Sequence, residues 1–225
     1  MTEHPDPRYA AFPLGFFDRM DEEPDERFYR PPRLLTHIDE GAIAEVSRLY
    51  EELGVPDGDV LDLMSSWISH LPRPARRLVV LGMNALELES NEDADEAVVA
   101  DLNAEPGLPF ADATFDAVTC CVSVDYLVRP LEVFDEVARV LRPGGRYICT
   151  FSNRCFPTKA IRGWLATDDS AHVEIVSQYF RRSRTVDADG CDHPAWDDPI
   201  VEHRNPDAAG DPLYAVWSNR RPDPT

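Results

Sequence analysis

From Asp39 to Leu53 the apolar residues Ile43, Val46, Leu49, Tyr50 and Leu53 recur at steps of three and four, and the pattern stops at Gly54 and Pro56. That spacing predicts an amphipathic helix. Short apolar runs bounded by turn residues follow: Val60 to Leu63, Leu78 to Gly82, Val98 to Asp101, and a run within Phe115 to Val124. Leu131, Phe134, Val137, Ala138 and Leu141 then share a helical face that Arg142-Pro143-Gly144-Gly145 closes, and Arg146 to Phe151 reads as a strand. Asp169-Ser170 can cap a helix through Val173, Ile175, Val176, Tyr179 and Phe180, while 183–188 and Leu213 to Trp217 supply two last strands around a long Pro- and Asp-rich loop. Strands alternating with helical stretches predict an α/β, doubly wound, mainly parallel seven-stranded sheet with helices on both faces.

Residues 1–38 break this pattern. They are rich in Pro, Asp, Glu and Arg, with aromatic pairs at Phe16-Phe17 and Phe28-Tyr29, and read as an N-terminal arm or lid instead of a core element. Residues 39–225 form the one domain expected of a 225-residue chain. No run approaches the roughly 20 apolar residues of a membrane helix, and no secretory signal opens the chain, so the sequence predicts a cytoplasmic protein without a membrane role.

Charge changes the picture most. The chain has 42 acidic against 22 basic residues, a formal net charge of −20, and Lys159 is its single lysine. Acids spread along the whole chain, with Asp favoured over Glu and Arg over Lys, match a halophilic protein of a cell with molar internal salt. A nucleic-acid partner is not expected, since phosphate binding draws on clustered Lys and Arg; Arg181-Arg182-Arg184 is the one local exception. Five cysteines, an odd number without CxxC or His partners at zinc-like spacing, suggest neither a disulfide framework nor a metal site. Cys120 and Cys121, inside an apolar run, read as small hydrophobes.

In an open parallel sheet, ligands bind beyond the carboxyl ends of the strands, where strand order reverses. The polar residues after each run are therefore the candidates: Asp62 and Met64-Ser65-Ser66, then Asn84, then Asp101-Leu102-Asn103, then Ser123, Asp125 and Tyr126. Each has a plainer role as a cap, turn or solvated acid. His37 and His172 are candidate bases by residue type alone, and Trp67 reads as a packing residue. In FYRPPRLLTHID, Tyr29, Arg33 and His37 either face the crevice or pack a surface arm. No GxGxxG follows any strand, which argues against a dinucleotide oxidoreductase.

The order DVLDL, VVLGMN, VVADLNAEPGLPFADATFDAVTCCVSVDYL and EVARVLRPGGRYICTFSN, within residues 57–153, resembles the class I S-adenosylmethionine-dependent methyltransferase family (type 11-like). DLMSSWISHLP, GMN, DLN and SNRCFPTKAI together resemble a subgroup in which Met64-Ser65-Ser66-Trp67 replaces the glycine-rich GxGxG loop. The resemblance implies a Rossmann-like fold and S-adenosylmethionine as cofactor. It assigns Asp62 to orienting the cofactor loop, Asp101 to the adenine amino group with the Leu102 backbone beside the ring, and Ser123 to the methyl-transfer pocket. Asn84 stands where the family has a carboxylate that grips the ribose. Ser65 and Ser66 would then bond the cofactor carboxylate at a helix N-terminus. Tyr126, Asp125 and His37 are the catalytic candidates, no metal is implied, and the acceptor is a small molecule or a protein. Asn153, Arg154 and Lys159 are candidate substrate contacts. The competing reading is a non-catalytic protein of the same fold, serving as a regulatory or scaffold subunit.

Self-repulsion at this net charge weakens as salt screens it. The denaturation midpoint is therefore expected to rise from dilute buffer to molar KCl; equal stability in the two would contradict a salt-adapted surface.

Overall fold

The computed structural model describes residues 6–187, 189–205 and 209–223. Nine strands are β1 (Asp59–Leu63), β2 (Arg77–Gly82), β3 (Glu96–Val99), β4 (Phe115–Cys121), β5 (Leu141–Phe151), β6 (Arg184–Val186), β7 (Asp192–Pro194), β8 (Ile200–His203) and β9 (Tyr214–Asn219). Seven form one sheet in the order β3-β2-β1-β4-β5-β9-β8. β1 to β5 run parallel, and β9 and β8 are antiparallel additions. Chain order reverses between β1 and β4, which makes their carboxyl ends the switch point.

Each strand alternates its side chains between two cores. Val60, Leu78 and Val80 face α2 (Glu40–Glu52), through Ala42, Val46, Leu49 and Tyr50. Leu61, Leu63, Val79 and Leu81 belong to the opposite core with α4 (Pro130–Val140) and α6 (Asp169–Arg182). The Asp39 carboxylate caps α2 by accepting from the Ala42 N–H, and Gly54, at φ 66°, turns the chain out of it. The Asp168 carboxylate caps α6 in the same way, one residue before the predicted cap. Three short helices complete the set: α1 (Asp25–Tyr29), α3 (Ala85–Glu89) and α5 (Arg162–Leu165). No helix among the described residues is long and apolar enough to cross a membrane.

Three expectations are corrected. Of the segment 183–188, Ala188 lies outside the described residues and Arg184–Val186 does not enter the main sheet: among the described residues β6 pairs only with β7 in a separate ribbon, and the outer strand β8 comes from the stretch read as loop. Its four residues carry Glu and His among Ile and Val, too short and polar a run to register as a strand. The helix expected after β1 is absent, and 64–76 is an irregular crossover. Pro72 and Pro74 disfavour helical backbone at the residues before them, and His70 has φ 55°. Finally, the arm is not merely peripheral. Tyr9 is buried, and Phe12 and Phe17 lie 6.0 and 6.3 Å from Tyr179 of α6.

Buried charge fixes the rest of the arm. Lys159 is fully buried, with Nζ 2.9 Å from Asp25 Oδ1 and 3.1 Å from Asp21 Oδ2. It also donates to the Glu23 carbonyl at 2.8 Å. The Arg19 guanidinium donates to Asp25 at 2.8 Å, and Asn103, in the turn after β3, donates to the same carboxylate and to the Tyr126 carbonyl. Burial alone would raise the Asp25 carboxyl, but bonds from Asn103, Arg19 and Lys159 outweigh it and hold the group below its ordinary value. The candidate substrate contact Lys159 is therefore an anchor between the arm and the segment after β5, and does not reach the cavity described below.

Removing one partner of such a cluster leaves charge buried without compensation. Lys159→Met is expected to lower stability by about 3 kcal/mol and to open the arm to protease; urea titration and limited proteolysis measure both. Adding Asp25→Asn should recover part of the loss.

Candidate functional site

A cavity of about 540 Å³ lies beyond the carboxyl ends of β1 to β5, roofed by the arm and by the irregular segment 64–70. Its size is that of a small-ligand site. Around it the structure brings together Asp62, Met64, Ser65, Ser66, Asn84, Asp101, Leu102, Ser123 and Tyr126, and from the arm Tyr29, Arg33 and His37. Asn153 and Arg154 line it as well. Asp125 does not: its side chain turns into the protein, 2% exposed, with Oδ2 unpartnered. Burial pushes that carboxyl up to about 8. As a catalytic candidate it is corrected to a buried, largely protonated acid. His172 also lies elsewhere, with Nε2 against the Trp164 carbonyl and its ring stacked on Trp164 at 3.9 Å.

Asp62 organises the site from below. It stands opposite Thr119 in the β1–β4 pairing and accepts its hydroxyl at 2.7 Å on one oxygen, while Ser65 donates to the other at 2.6 Å. Burial raises the carboxyl above its ordinary value against these hydroxyl donors. Ser65 is thereby committed to Asp62, and Ser66 donates to Glu87 Oε2 at 2.7 Å. Neither hydroxyl sits at a helix N-terminus, since no helix follows, so the role expected for them at a ligand carboxylate is corrected.

The backbone is strained at this rim. Met64, His70 and Val122 all have positive φ, at 55°, 55° and 45°, and all three line the cavity. Such geometry is costly for a side-chain-bearing residue, most of all for β-branched Val122, and tends to persist at ligand sites. Gly82 shows how tightly the loop is pressed onto β2: a Cβ there would sit 2.2 Å from the Ser65 carbonyl oxygen. Burial also pushes the His70 imidazole down to about 4, so the ring is neutral at physiological pH.

Asn84 is fully employed. Its Oδ1 accepts from the Leu86 and Glu87 N–H groups as the cap of α3, and Nδ2 donates to the Tyr29 and Arg30 carbonyls. It latches the arm and has nothing left for a ribose. Glu87, one helical turn on, faces the cavity, with Oε1 accepting the Arg33 N–H at 2.6 Å. The sequence reading missed Glu87, although Asn84-x-x-Glu87 has the spacing of a capping box. Trp67 closes the roof by donating its indole N–H to the Leu35 carbonyl at 3.1 Å. Asp101 caps its own turn through Oδ1, bonded to the Asn103 and Ala104 N–H groups, and Oδ2 has no partner among the described residues.

Past β4, Ser123 donates to the Cys121 carbonyl, and the Tyr126 hydroxyl accepts the Phe156 N–H at 2.9 Å. The Tyr126 and Phe156 rings stack at 5.9 Å, and His37 meets Phe156 edge-on at 5.0 Å. Burial pushes the Cys121 thiol up to about 12, which leaves it protonated and a poor nucleophile. No metal-binding cluster occurs among the described residues.

The family model of the methyltransferase domain matches residues 65–149. The ubiquinone/menaquinone biosynthesis C-methyltransferase of Roseobacter denitrificans is 35% identical over 107 residues, covering 47% of this chain and 37% of that protein. The demethylmenaquinone methyltransferase of Clavibacter sepedonicus is 44% identical over 69 residues, covering 30% and 27%. The chain thus matches well under two thirds of the length of these relatives. In fold it resembles a SAM-dependent methyltransferase from Aquifex aeolicus, with TM-score 0.53, 13% identity, and coverage of 87% and 97%. It also resembles the [4+2]-cyclase SpnF, with TM-score 0.54, 15% identity, and coverage of 86% and 90%.

The folded protein keeps the Asp125 proton up to about pH 8, whereas the unfolded chain releases it near its ordinary value of 3.8. The contribution is therefore fully present below pH 3.8 and is lost as pH rises through 8. Asp125→Asn is expected to flatten the fall of stability across this window, gaining over wild type at the alkaline end; urea midpoints on both sides of neutrality measure it.

Proposed function

We propose that the chain is a class I S-adenosylmethionine-dependent methyltransferase, a reading that the methyltransferase-domain match over residues 65–149 and the methyltransferase relatives support, and that it binds S-adenosylmethionine along the ends of β1 to β3. The methyl group passes to an acceptor held over Ser123 and Tyr126. The observation that carries this reading is the convergence of Asp62, Glu87 and Asp101 on one roofed cavity at the switch point.

The donor set suits such a ligand. In this reading Asp101 Oδ2, without a partner among the described residues, accepts the adenine amino group, and buried Leu102 lies beside the ring. Glu87 takes over the ribose hydroxyls that Asn84 has no free group to hold. Asp62 acts indirectly: its two hydroxyl bonds fix the backbone of Met64 and Ser65, and its buried carboxyl adds an acidic floor. The cofactor supplies a methyl group already activated on a sulfonium sulfur. The protein's own contribution is then to hold donor and acceptor in line and keep water out, an effect of proximity more than of acid–base chemistry. The described part of the arm, residues 6–38, acts as the lid over this arrangement, and His37, beside Phe156, accepts the acceptor proton in this reading. Methyltransferase names among the relatives support the reaction class.

Calorimetry with S-adenosylhomocysteine in molar KCl tests the reading. Wild type should bind, and Asp101→Ala and Glu87→Gln should each weaken binding by about tenfold, the loss of one good hydrogen bond to a buried polar group. No heat from wild type would remove the enzymatic reading and leave the scaffold alternative.

A further inference from the structure

Charge is unevenly spread around the cavity. Asp62, Glu87 and Asp101 stand on the side built by β1 to β3, whereas the arm and the segments after β4 and β5 contribute aromatic rings, the guanidinium groups of Arg33 and Arg154, and one carboxylate, Asp25, already paired with Arg19 and Lys159. In a chain with 42 acidic and 22 basic residues, an arginine without a carboxylate needs a reason. Arg33 forms no side-chain ion pair within 4.0 Å among the described residues. Its guanidinium donates to the Phe28 carbonyl at 2.9 Å and more weakly to Pro31 at 3.4 Å. It lies 4.5 Å from the centre of the Phe28 ring and 5.4 Å from that of Phe156. Two of its five N–H donors are used, and rings and backbone hold the plane still. Glu87, the nearby acid, binds the Arg33 backbone N–H and Ser66, not the guanidinium. Arg154 is the second cation, 63% exposed and, among the described residues, paired only with Asp211 at 3.9 Å.

Beside these cations is an aromatic cluster lining the cavity, Phe156 stacked on Tyr126 with His37 edge-on. A rigid arginine fork matches a carboxylate through paired hydrogen bonds, and an aromatic wall matches a planar ring. We propose that the methyl acceptor is a planar aromatic carboxylate, its ring against Phe156 and Tyr126 and its carboxylate on Arg33, with Arg154 drawing the anion to the mouth. The proposal rests on the reading that the cofactor occupies the acidic side of the same cavity.

The full chain, saturated with S-adenosylhomocysteine, is titrated by calorimetry with 2-naphthoate and with the isosteric neutral 2-naphthamide, at the lowest salt that keeps it folded. Wild type should prefer the carboxylate by about tenfold or more, the scale of a charge-assisted bond over a neutral one. Arg33→Gln should abolish the preference and leave S-adenosylhomocysteine binding in place, because Glu87 is held by the Arg33 backbone N–H, which the substitution keeps. Arg33→Lys, which keeps the charge and loses the fork, should keep part of the preference and serves as the control for a misplaced arm. Equal binding of both probes to wild type, no naphthoate binding, or an unchanged preference in Arg33→Gln overturns the proposal. A fall in S-adenosylhomocysteine affinity with the preference intact assigns Arg33 to the cofactor instead. Should wild type fail to bind S-adenosylhomocysteine, the cofactor reading falls, and the naphthoate preference, read without it, still decides the acceptor class.

Discussion

A fully buried ammonium group decides the shape of this site. Lys159 cannot keep its charge out of water unless carboxylates and carbonyls surround it, and those partners, Asp21, Asp25 and Glu23, all belong to the arm. The arm must therefore lie against the segment after β5. Arg19 and Asn103 complete the cluster, and Asn103 passes the constraint on to the turn after β4 through the Tyr126 carbonyl. One set of charges thus ties together the roof of the cavity, the end of β3 and the wall on which Tyr126 and Phe156 stack. Asn84 and Trp67 add two more bonds along the far edge of the roof.

The floor follows a second constraint. Without glycines and without a helix after β1, the crossover can reach β2 only by accepting left-handed backbone at Met64 and His70 and by pressing the Ser65 carbonyl onto Gly82. Asp62 holds this arrangement through Thr119 and Ser65. The hydroxyls that would otherwise serve a ligand are spent on the fold. In the proposed reading, recognition shifts accordingly to the carboxylates of Asp101 and Glu87 and to the arm.

The charge asymmetry inside the cavity bears on specificity. A surface as acidic as this one repels anions at long range, but salt confines that field to roughly 8 Å at physiological ionic strength. In the proposed reading, what an anionic ligand meets at the end of its approach is Arg33 and the ring of Phe156. The same fold serves a methyltransferase and a [4+2]-cyclase among the structures it resembles, so it is such local chemistry, not the sheet, that separates one activity from another.

Much of the architecture was legible in the sequence, because it rests on local periodicity. Apolar runs bounded by turns set β1 to β5 and β9, three- and four-residue spacing set α2, α4 and α6, and the strand ends marked where Asp62, Asp101, Ser123 and Tyr126 meet. β8 was hidden because a four-residue edge strand has no pattern of its own and exists only through its pairing with β9. The missing helix after β1 was signalled by two prolines that the expected strand–helix alternation overrode. The use of each polar group was decided by tertiary structure alone. Whether Asn84 serves a ligand or the arm, whether Lys159 is a contact or an anchor, and that Glu87 reaches the site all depend on partners 21 to 138 residues away in the chain, and whether Asp125 faces the cavity or the core depends on the packing around it. Residue type determines which bonds a side chain can make; only the folded chain determines which partner arrives first.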